Sequence, residues 1–335
     1  MKKSLLFLLM VSLVVAPIVG CAQEAVEPAP IGMAVEFMDH AACAYISQDK
    51  GWFEDEGLKL TAYQSYATGM AMAAALARGD IQVAYMCLIP AISAYANAQV
   101  PIRIVSGTHK YGYALVVNPE KVKSVQDIEN DGLRIGCVQE GGAVDVVLHK
   151  TIDKYNLDSE KVMANIQRMN PQKMALAVKM GQLDAAFMPE HWATMTEGYG
   201  FKMLLMSQDI WPNMQGSVLV VKEDLLNKQP EVVRKLVKVT QKATDCINKE
   251  PEDSAEAMSR QLNTVGSNLF PAEIANVVSK LEITPTILLR SMSRLDYTTD
   301  IDVAEVQATI DYVTSLGYIK SSFNASDLLD LRYTK

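Results

Sequence analysis

The sequence predicts an α/β chain of two lobes. Three observations carry this expectation: strand–helix alternation that runs once, breaks and runs again; a phrase that occurs twice; and two apolar strands that flank the second run. The phrase is GDIQVAYM at 79–86 and GQLDAAFM at 181–188, each after an Ala-rich helical stretch, at an offset of 102 residues. IGMAVE (31–36) and LRIGCV (133–138) share that offset, so the echo covers a whole supersecondary unit. A chain of 335 residues is also long for one core.

The first unit follows in order. IGMAVEF (31–37) is a short apolar strand, and DHAACAYISQDKGWFEDEG carries helical spacing up to a stop at Gly57. LKLTAYQ (58–64) alternates as a strand does, and TGMAMAAALARG (68–79) is a helix of strong formers closed by Gly79. IQVAYM, IPAISAYANA and PIRIVSG then read as strand, helix and strand. The second unit reads LRIGCV strand, GAVDVVLHKTIDKYN helix, VMANIQRM (162–169) strand, PQKMALAVKMG helix with Pro171 in its first turn, DAAFM strand, HWATMTEGYG helix and FKMLLM (201–206).

Two linking segments, 111–130 and 216–227, lie on either side of that second unit, and helices fill the rest of the chain. A chain that leaves one lobe, builds another and returns needs two such links. The expectation is therefore a discontinuous lobe 1 at 31–115 and 216–335, a lobe 2 at 116–215, and a cleft between them.

The N-terminus reads as a processing signal. Lys2 and Lys3 precede an apolar run that ends in small residues, so 1–20 is expected to be a signal peptide, with an uncleaved anchor as the alternative. IVGC resembles a bacterial lipobox, which makes Cys21 the expected lipidation site and 21–30 a tether. Removing 1–20 takes two lysines away and moves the net charge from −8 to −10. That balance offers no basic surface for nucleic acid.

Cys43, Cys87, Cys137 and Cys246 form no CxxC pair and have no histidine at ligand spacing, so neither a metal site nor a disulfide is expected. VQEGGA is neither GxGxxG nor a P-loop, which argues against a nucleotide cofactor, and no cofactor is expected. No GxSxG or HExxH occurs, and the chain is expected not to be an enzyme.

In open parallel sheets, ligands bind beyond the carboxyl ends of strands, where helix N-termini present free N–H groups. Reading those ends gives Met38, Asp39 and His40; then Tyr66, Thr68 and Gly69; then Cys87. The second unit adds Gln139, Glu140, Gly141 and Gly142, then Glu190, His191 and Trp192, and the links add Tyr111, Tyr113, Trp211 and Gln215. The glycine pair lets backbone N–H groups approach an anion, or simply makes a tight turn. Trp192 and Trp211 either wall a pocket or cap a core. Asp39 and Glu190 either cap helices or meet a ligand ammonium.

Several of these stretches resemble the substrate-binding proteins of ABC importers, in the SsuA/THI5-like branch. The resemblance rests on Gly51-Trp52-Phe53 with Gly57-Leu58, on Ala75-Leu76 with Gly79-Asp80, and on Gln99-Val100-Pro101, where Gln99 replaces a usual glycine. It spans roughly residues 31–250. It implies a type II periplasmic-binding-protein-like fold that closes on its ligand by hinge motion. It also implies a lipid-anchored extracytoplasmic monomer that serves an ABC permease and ATPase. The strand ends favour a small organic ligand, sulfonate or taurine-like first, with a pyrimidine or riboflavin fragment and then nitrate as alternatives. A sensory receptor is the alternative role; the CCCFC motif of yeast-type pyrimidine synthases is absent.

Overall fold

A computed structural model of the chain describes residues 31–269 and 281–334. The leader, Cys21 and the tether lie outside the described residues. The first unit comprises β1 (Ile31–Glu36), α1 (Ala42–Asp49), α2 (Trp52–Asp55), β2 (Leu60–Tyr66), α3 (Gly69–Arg78), β3 (Val83–Cys87), α4 (Leu88–Ala96) and β4 (Ile102–Tyr111). The second runs through β5 (Tyr113–Val117), β6 (Ile135–Cys137), α5 (Ala143–Tyr155), α6 (Ser159–Ala164), β7 (Ile166–Arg168), α7 (Pro171–Lys179), β8 (Ala185–Pro189), α8 (Trp192–Glu197), β9 (Lys202–Met206) and α9 (Ser207–Ile210). The chain returns through β10 (Gln215–Lys222). It then adds α10 (Glu223–Lys228), α11 (Pro230–Lys249), α12 (Pro251–Leu269), α13 (Pro285–Met292), β11 (Leu295–Asp296) and α14 (Val303–Ser315).

Two sheets result, ordered β11-β4-β10-β3-β1-β2 and β7-β6-β8-β5-β9. The first has a parallel β2-β1-β3 core and the second a parallel β7-β6-β8 core. The short β11 runs against the first core, antiparallel to β4, and in each sheet a longer strand does so too: β10 pairs antiparallel with β3 and β4, and β5 with β8 and β9. Those two are the strands that adjoin the links, so each lobe receives the incoming chain as an antiparallel insert. β1 is buried along its whole length because helices cover both faces of its sheet, and its sequence is accordingly an apolar run without alternation.

The sheets exchange the chain at Gly112 and again between Met214 and Gln215. The first exchange precedes the boundary expected at 115/116, because YALVV belongs to the second sheet. Gly112 makes the break: its φ of 94° is left-handed backbone, placed between the polar end of β4 (THKY) and the apolar YALVV of β5. Residues 38–57 likewise form two helices, broken at Gly51. VMA at 162–164 ends α6, which Asp158 caps by accepting from the N–H groups of Glu160 and Lys161; only Ile166–Arg168 of the expected strand is extended. Gln99, where the resemblance leads one to expect glycine, has a left-handed φ of 50°.

The C-terminal segment touches both lobes. Tyr312 on α14 donates to the Asp153 carboxylate on α5, and the Asn97 amide beyond α4 donates to the Tyr318 carbonyl at 2.8 Å. These polar contacts are among those that span the lobes in addition to the two exchanges.

A Cβ at Gly112 would meet His40 Nε2 at 2.5 Å in addition to its left-handed strain, whereas one at Gly181 (φ 68°) would meet open space. Gly112→Ala is expected to cost about 3 kcal/mol in urea unfolding and Gly181→Ala about 1 kcal/mol. Equal costs would show that the tight approach at Gly112 contributes nothing.

Candidate functional site

Four helices begin at one place between the lobes. α3 begins at Gly69 behind Thr68, whose hydroxyl accepts from the Ala71 N–H at 3.3 Å. α4 follows directly on Cys87 at the end of β3. Across the cleft, α5 starts after Gly142, and α7 starts with Pro171 after Asn170, whose side chain accepts from the Lys173 N–H at 2.9 Å. Their first residues enclose a cavity of about 40 Å³, room for a few water molecules.

Lobe 1 lines the cavity with Glu36, Met38, Ala67, Thr68, Gly69, Met70, Cys87 and Pro90. The second sheet and its helices supply Tyr113, Val138, Gln139, Gly142, Ala143, Val144, Pro171 and Pro189. The wall is mainly apolar, and no lysine or arginine is among these residues. Positive potential therefore comes from helix N-termini, whose free N–H groups and aligned peptide dipoles favour an anion.

Part of the wall, with His40 behind it, forms a buried polar cluster. The Cys87 thiol donates to Glu36 Oε2 at 2.9 Å, and the Tyr113 hydroxyl donates to Cys87 Sγ at 3.1 Å. His40 Nδ1 lies 3.5 Å from Cys87 Sγ, and His40 Nε2 donates to the Gly112 carbonyl at 2.7 Å. Because a carbonyl can only accept, the Nε2 hydrogen is fixed and Nδ1 keeps its lone pair toward the sulfur. Burial pushes the Glu36 carboxyl up to about 7, an effect that the thiol hydrogen bond partly offsets. Burial holds the His40 imidazole down at about 4, and raises the Cys87 thiol well above its ordinary value.

Of the residues singled out in the sequence, Met38, Thr68, Gly69, Cys87, Tyr113, Gln139 and Gly142 line the cavity, and His40 stands one contact behind it. The others lie elsewhere. Asp39 accepts from the Ser291 hydroxyl at 2.6 Å, and Glu190 accepts from Thr194 at 2.7 Å and from Arg294 at 3.3 Å. Arg294 also donates to Glu197 at 2.8 Å, so these acids tie the C-terminal segment to the lobes. Burial raises both Asp39 and Glu190, and the neighbouring Glu190 charge raises Asp39 further.

Trp192 is fully buried against Phe37 and His191, and Trp211 packs on Tyr312 with Lys150 over its ring. The Gln215 amide donates to the His109 and Ser217 carbonyls at 3.0 Å. Gly141 donates to Asp145 at 3.0 Å and faces Tyr318, while Glu140 is exposed. Tyr66 donates to Gln64 at 2.7 Å, and Tyr111 is half-buried with a φ of 66°. Glu36 escaped the sequence reading because it ends a strand instead of following one. Its signal was present: a single acid closing the apolar run IGMAV.

Two α/β lobes, a chain that crosses twice and a cavity at facing strand ends define the periplasmic-binding-protein fold. The chain belongs to the NMT1-like family, whose family model matches residues 24–262. A binding protein of Brucella abortus (strain 2308) is 24% identical over 279 residues, covering 80% of this chain and 82% of the relative. Among solved structures, the alkanesulfonate-binding protein SsuA of Xanthomonas axonopodis pv. citri, bound to MOPS, superposes with a TM-score of 0.73 at 15% identity, covering 92% of this chain and 100% of that one. A zinc-bound ligand-binding component of an ABC-type import system from Staphylococcus aureus gives 0.72 at 16% identity, over 91% and 98% of the two chains. The nitrate-binding protein NrtA of Synechocystis PCC 6803 gives 0.69 at 14%, over 92% and 87%.

His191, packed on Trp192, makes a pH prediction. His191 is fully buried with no hydrogen-bond partner on either ring nitrogen among the described residues. Burial, and secondarily the charge of His40, lower it to about 3. The unfolded imidazole takes up its proton near its ordinary 6.5, so the stability owed to a neutral His191 is present above 6.5 and lost as pH falls toward 3. In His191→Phe, unfolding free energy is expected to fall less over that window, by ~4 kcal/mol. Parallel curves for the two proteins would show that His191 titrates normally in the fold.

Proposed function

We propose that this protein is the extracytoplasmic solute-binding component of an ABC importer, and that its ligand is a small organic anion of the sulfonate type. The observation that carries this reading is the convergence of four helix N-termini, two from each lobe, on one apolar-walled cavity. An anionic head fits the N–H groups at Gly69 and Ala143, and a short carbon chain fits Met38, Met70, Val138 and Pro171. A taurine-like ammonium would meet Glu36, the one carboxylate in the lining. Stacking of a pyrimidine or flavin is less well served, because Trp192 and Trp211 are packed elsewhere. Nitrate would leave the apolar wall without a partner.

The described cavity is far smaller than the ~300 Å³ at which ligand pockets begin. Ligand entry therefore requires the lobes to part about the exchanges at Gly112 and Met214, and closure follows once the anion is seated. Nothing in this cycle makes or breaks a bond. The leader at 1–20 and a lipid on Cys21 would hold the protein as a monomer at the outer face of the membrane, where it delivers its ligand to a permease and ATPase. The sulfonate- and nitrate-binding neighbours in structure are consistent with this class of ligand.

A thermal-shift series tests the ligand class. Taurine or a short alkanesulfonate at 100 times its dissociation constant is expected to add about 2.7 kcal/mol and raise the midpoint by several degrees. Ala67→Phe puts bulk at a half-buried lining position and should weaken that ligand by at least ~10-fold while the unliganded midpoint stays close to wild type. A ligand response unchanged in Ala67→Phe would move the site elsewhere, and no response to any sulfonate would remove the ligand assignment.

A further inference from the structure

The cluster at the cavity wall has the composition and geometry of a transition-metal site. Glu36, His40 and Cys87 offer one ligand atom each, and the three atoms lie within 4.8 Å of one another. The spacing of the sequence conceals this, because Cys87 comes from the next strand but one and reaches the other two only through the parallel pairing of β1 with β3. We propose that Glu36, His40 and Cys87 bind a single zinc-like divalent cation whose fourth coordination position opens into the interlobe cavity. The proposal does not rest on the ligand being a sulfonate, but it takes Glu36 away from a taurine-like ammonium and leaves the cleft to an anion.

Geometry supports it first. Zn–S of about 2.3 Å and Zn–N of about 2.0–2.1 Å at tetrahedral angles place sulfur and nitrogen roughly 3.5 Å apart. That is the separation between Cys87 Sγ and His40 Nδ1, 3.5 Å. Glu36 Oε2, at 2.9 Å from the sulfur, has to withdraw by about 0.7 Å to reach the corresponding edge of the tetrahedron. Coordination replaces the S–H···O bond: sulfur, imidazole nitrogen and carboxylate oxygen each donate a lone pair to the ion, and the thiol proton passes to solvent.

The surrounding groups are those a metal needs. A ligating histidine ordinarily donates its other N–H to a fixed acceptor, which sets tautomer and orientation. Here that acceptor is the Gly112 carbonyl, 2.7 Å from Nε2, and the absence of a side chain at Gly112 is what lets the ring lie against it. The sulfur receives hydroxyl donors from Tyr113 at 3.1 Å and Ser217 at 3.6 Å, which would stabilise a thiolate. Mixed sulfur, nitrogen and oxygen donors in a three-residue set suit zinc with an open position. Glu36 and Cys87 line the cavity directly, so that position faces the space where the cleft lacks lysine and arginine. A bound cation would supply the missing positive charge.

The test is a cobalt and zinc titration of the intact, chelator-stripped protein. One equivalent of cobalt(II) is expected to raise a thiolate-to-cobalt charge-transfer band in the near ultraviolet, and zinc to abolish it by displacement. Cys87→Ser should remove the band, and His40→Gln should weaken metal binding by ~100-fold or more. Cys246 lies in the other acid-rich group, with Glu250 and Asp253, so Cys246→Ser serves as the control and should leave the band unchanged. If Cys87→Ser fails to fold, zinc X-ray absorption on the wild type decides, with one sulfur at about 2.3 Å expected among nitrogen and oxygen ligands. Loss of the band in Cys246→Ser, no band in the wild type, or a zinc shell without sulfur would each overturn the proposal. Loss of sulfonate binding with metal binding intact would instead touch only the ligand class.

Discussion

The chain crosses between its two sheets at Gly112 and at Met214–Gln215, and the organisation of the cleft follows from that double crossing. Parallel strands deliver their carboxyl ends, and the helix starts that follow them, to one edge of a sheet. A single sheet would present that edge to solvent. With two sheets joined by two short links, the edges are brought face to face, so α3 and α4 on one side oppose α5 and α7 on the other. The strands beside the links, β5 and β10, run against their neighbours because each enters its sheet from the opposite lobe.

Gly112 joins several of these functions in one residue. It turns the chain with left-handed backbone, its carbonyl accepts from both His40 Nε2 and the Glu190 N–H, and its lack of a side chain leaves space for the imidazole. The first link is thereby tied to the strand ends of both lobes. The C-terminal segment adds further ties through Arg294, Tyr312 and Tyr318, which reach Glu190, Asp153 and Asp145. Of these only Arg294–Glu190 is a buried charge pair, which costs desolvation and recovers it only with good geometry, so it specifies an arrangement more than it stabilises it.

Much of this was legible in the residues, and the exceptions have physical reasons. The alternation and the 102-residue offset are carried by periodicity, which a sequence displays directly. The helix starts at Thr68, Gly142 and Pro171 carry capping and first-turn chemistry that is also local. What the sequence withholds is where a side chain turns after its strand ends. Glu190 and Trp192 follow β8 as a ligand-facing pair would, yet the first is drawn to Thr194 and Arg294, some hundred residues on, and the second to Phe37. Glu36 shows the converse: strand membership hid a carboxylate that the end of β1 points into the cavity. The exchange at Gly112 was likewise hidden, because nothing local in YALVV says which sheet it joins.

The most direct test of the shared cleft is a crystal grown with 2-bromoethanesulfonate, in which anomalous scattering locates the bromine. One bromine site is expected within the cavity bounded by Met38, Thr68, Gly69, Gln139 and Gly142, with both lobes in contact with the ligand. Bromine found only outside that cavity, or touching one lobe alone, would contradict it.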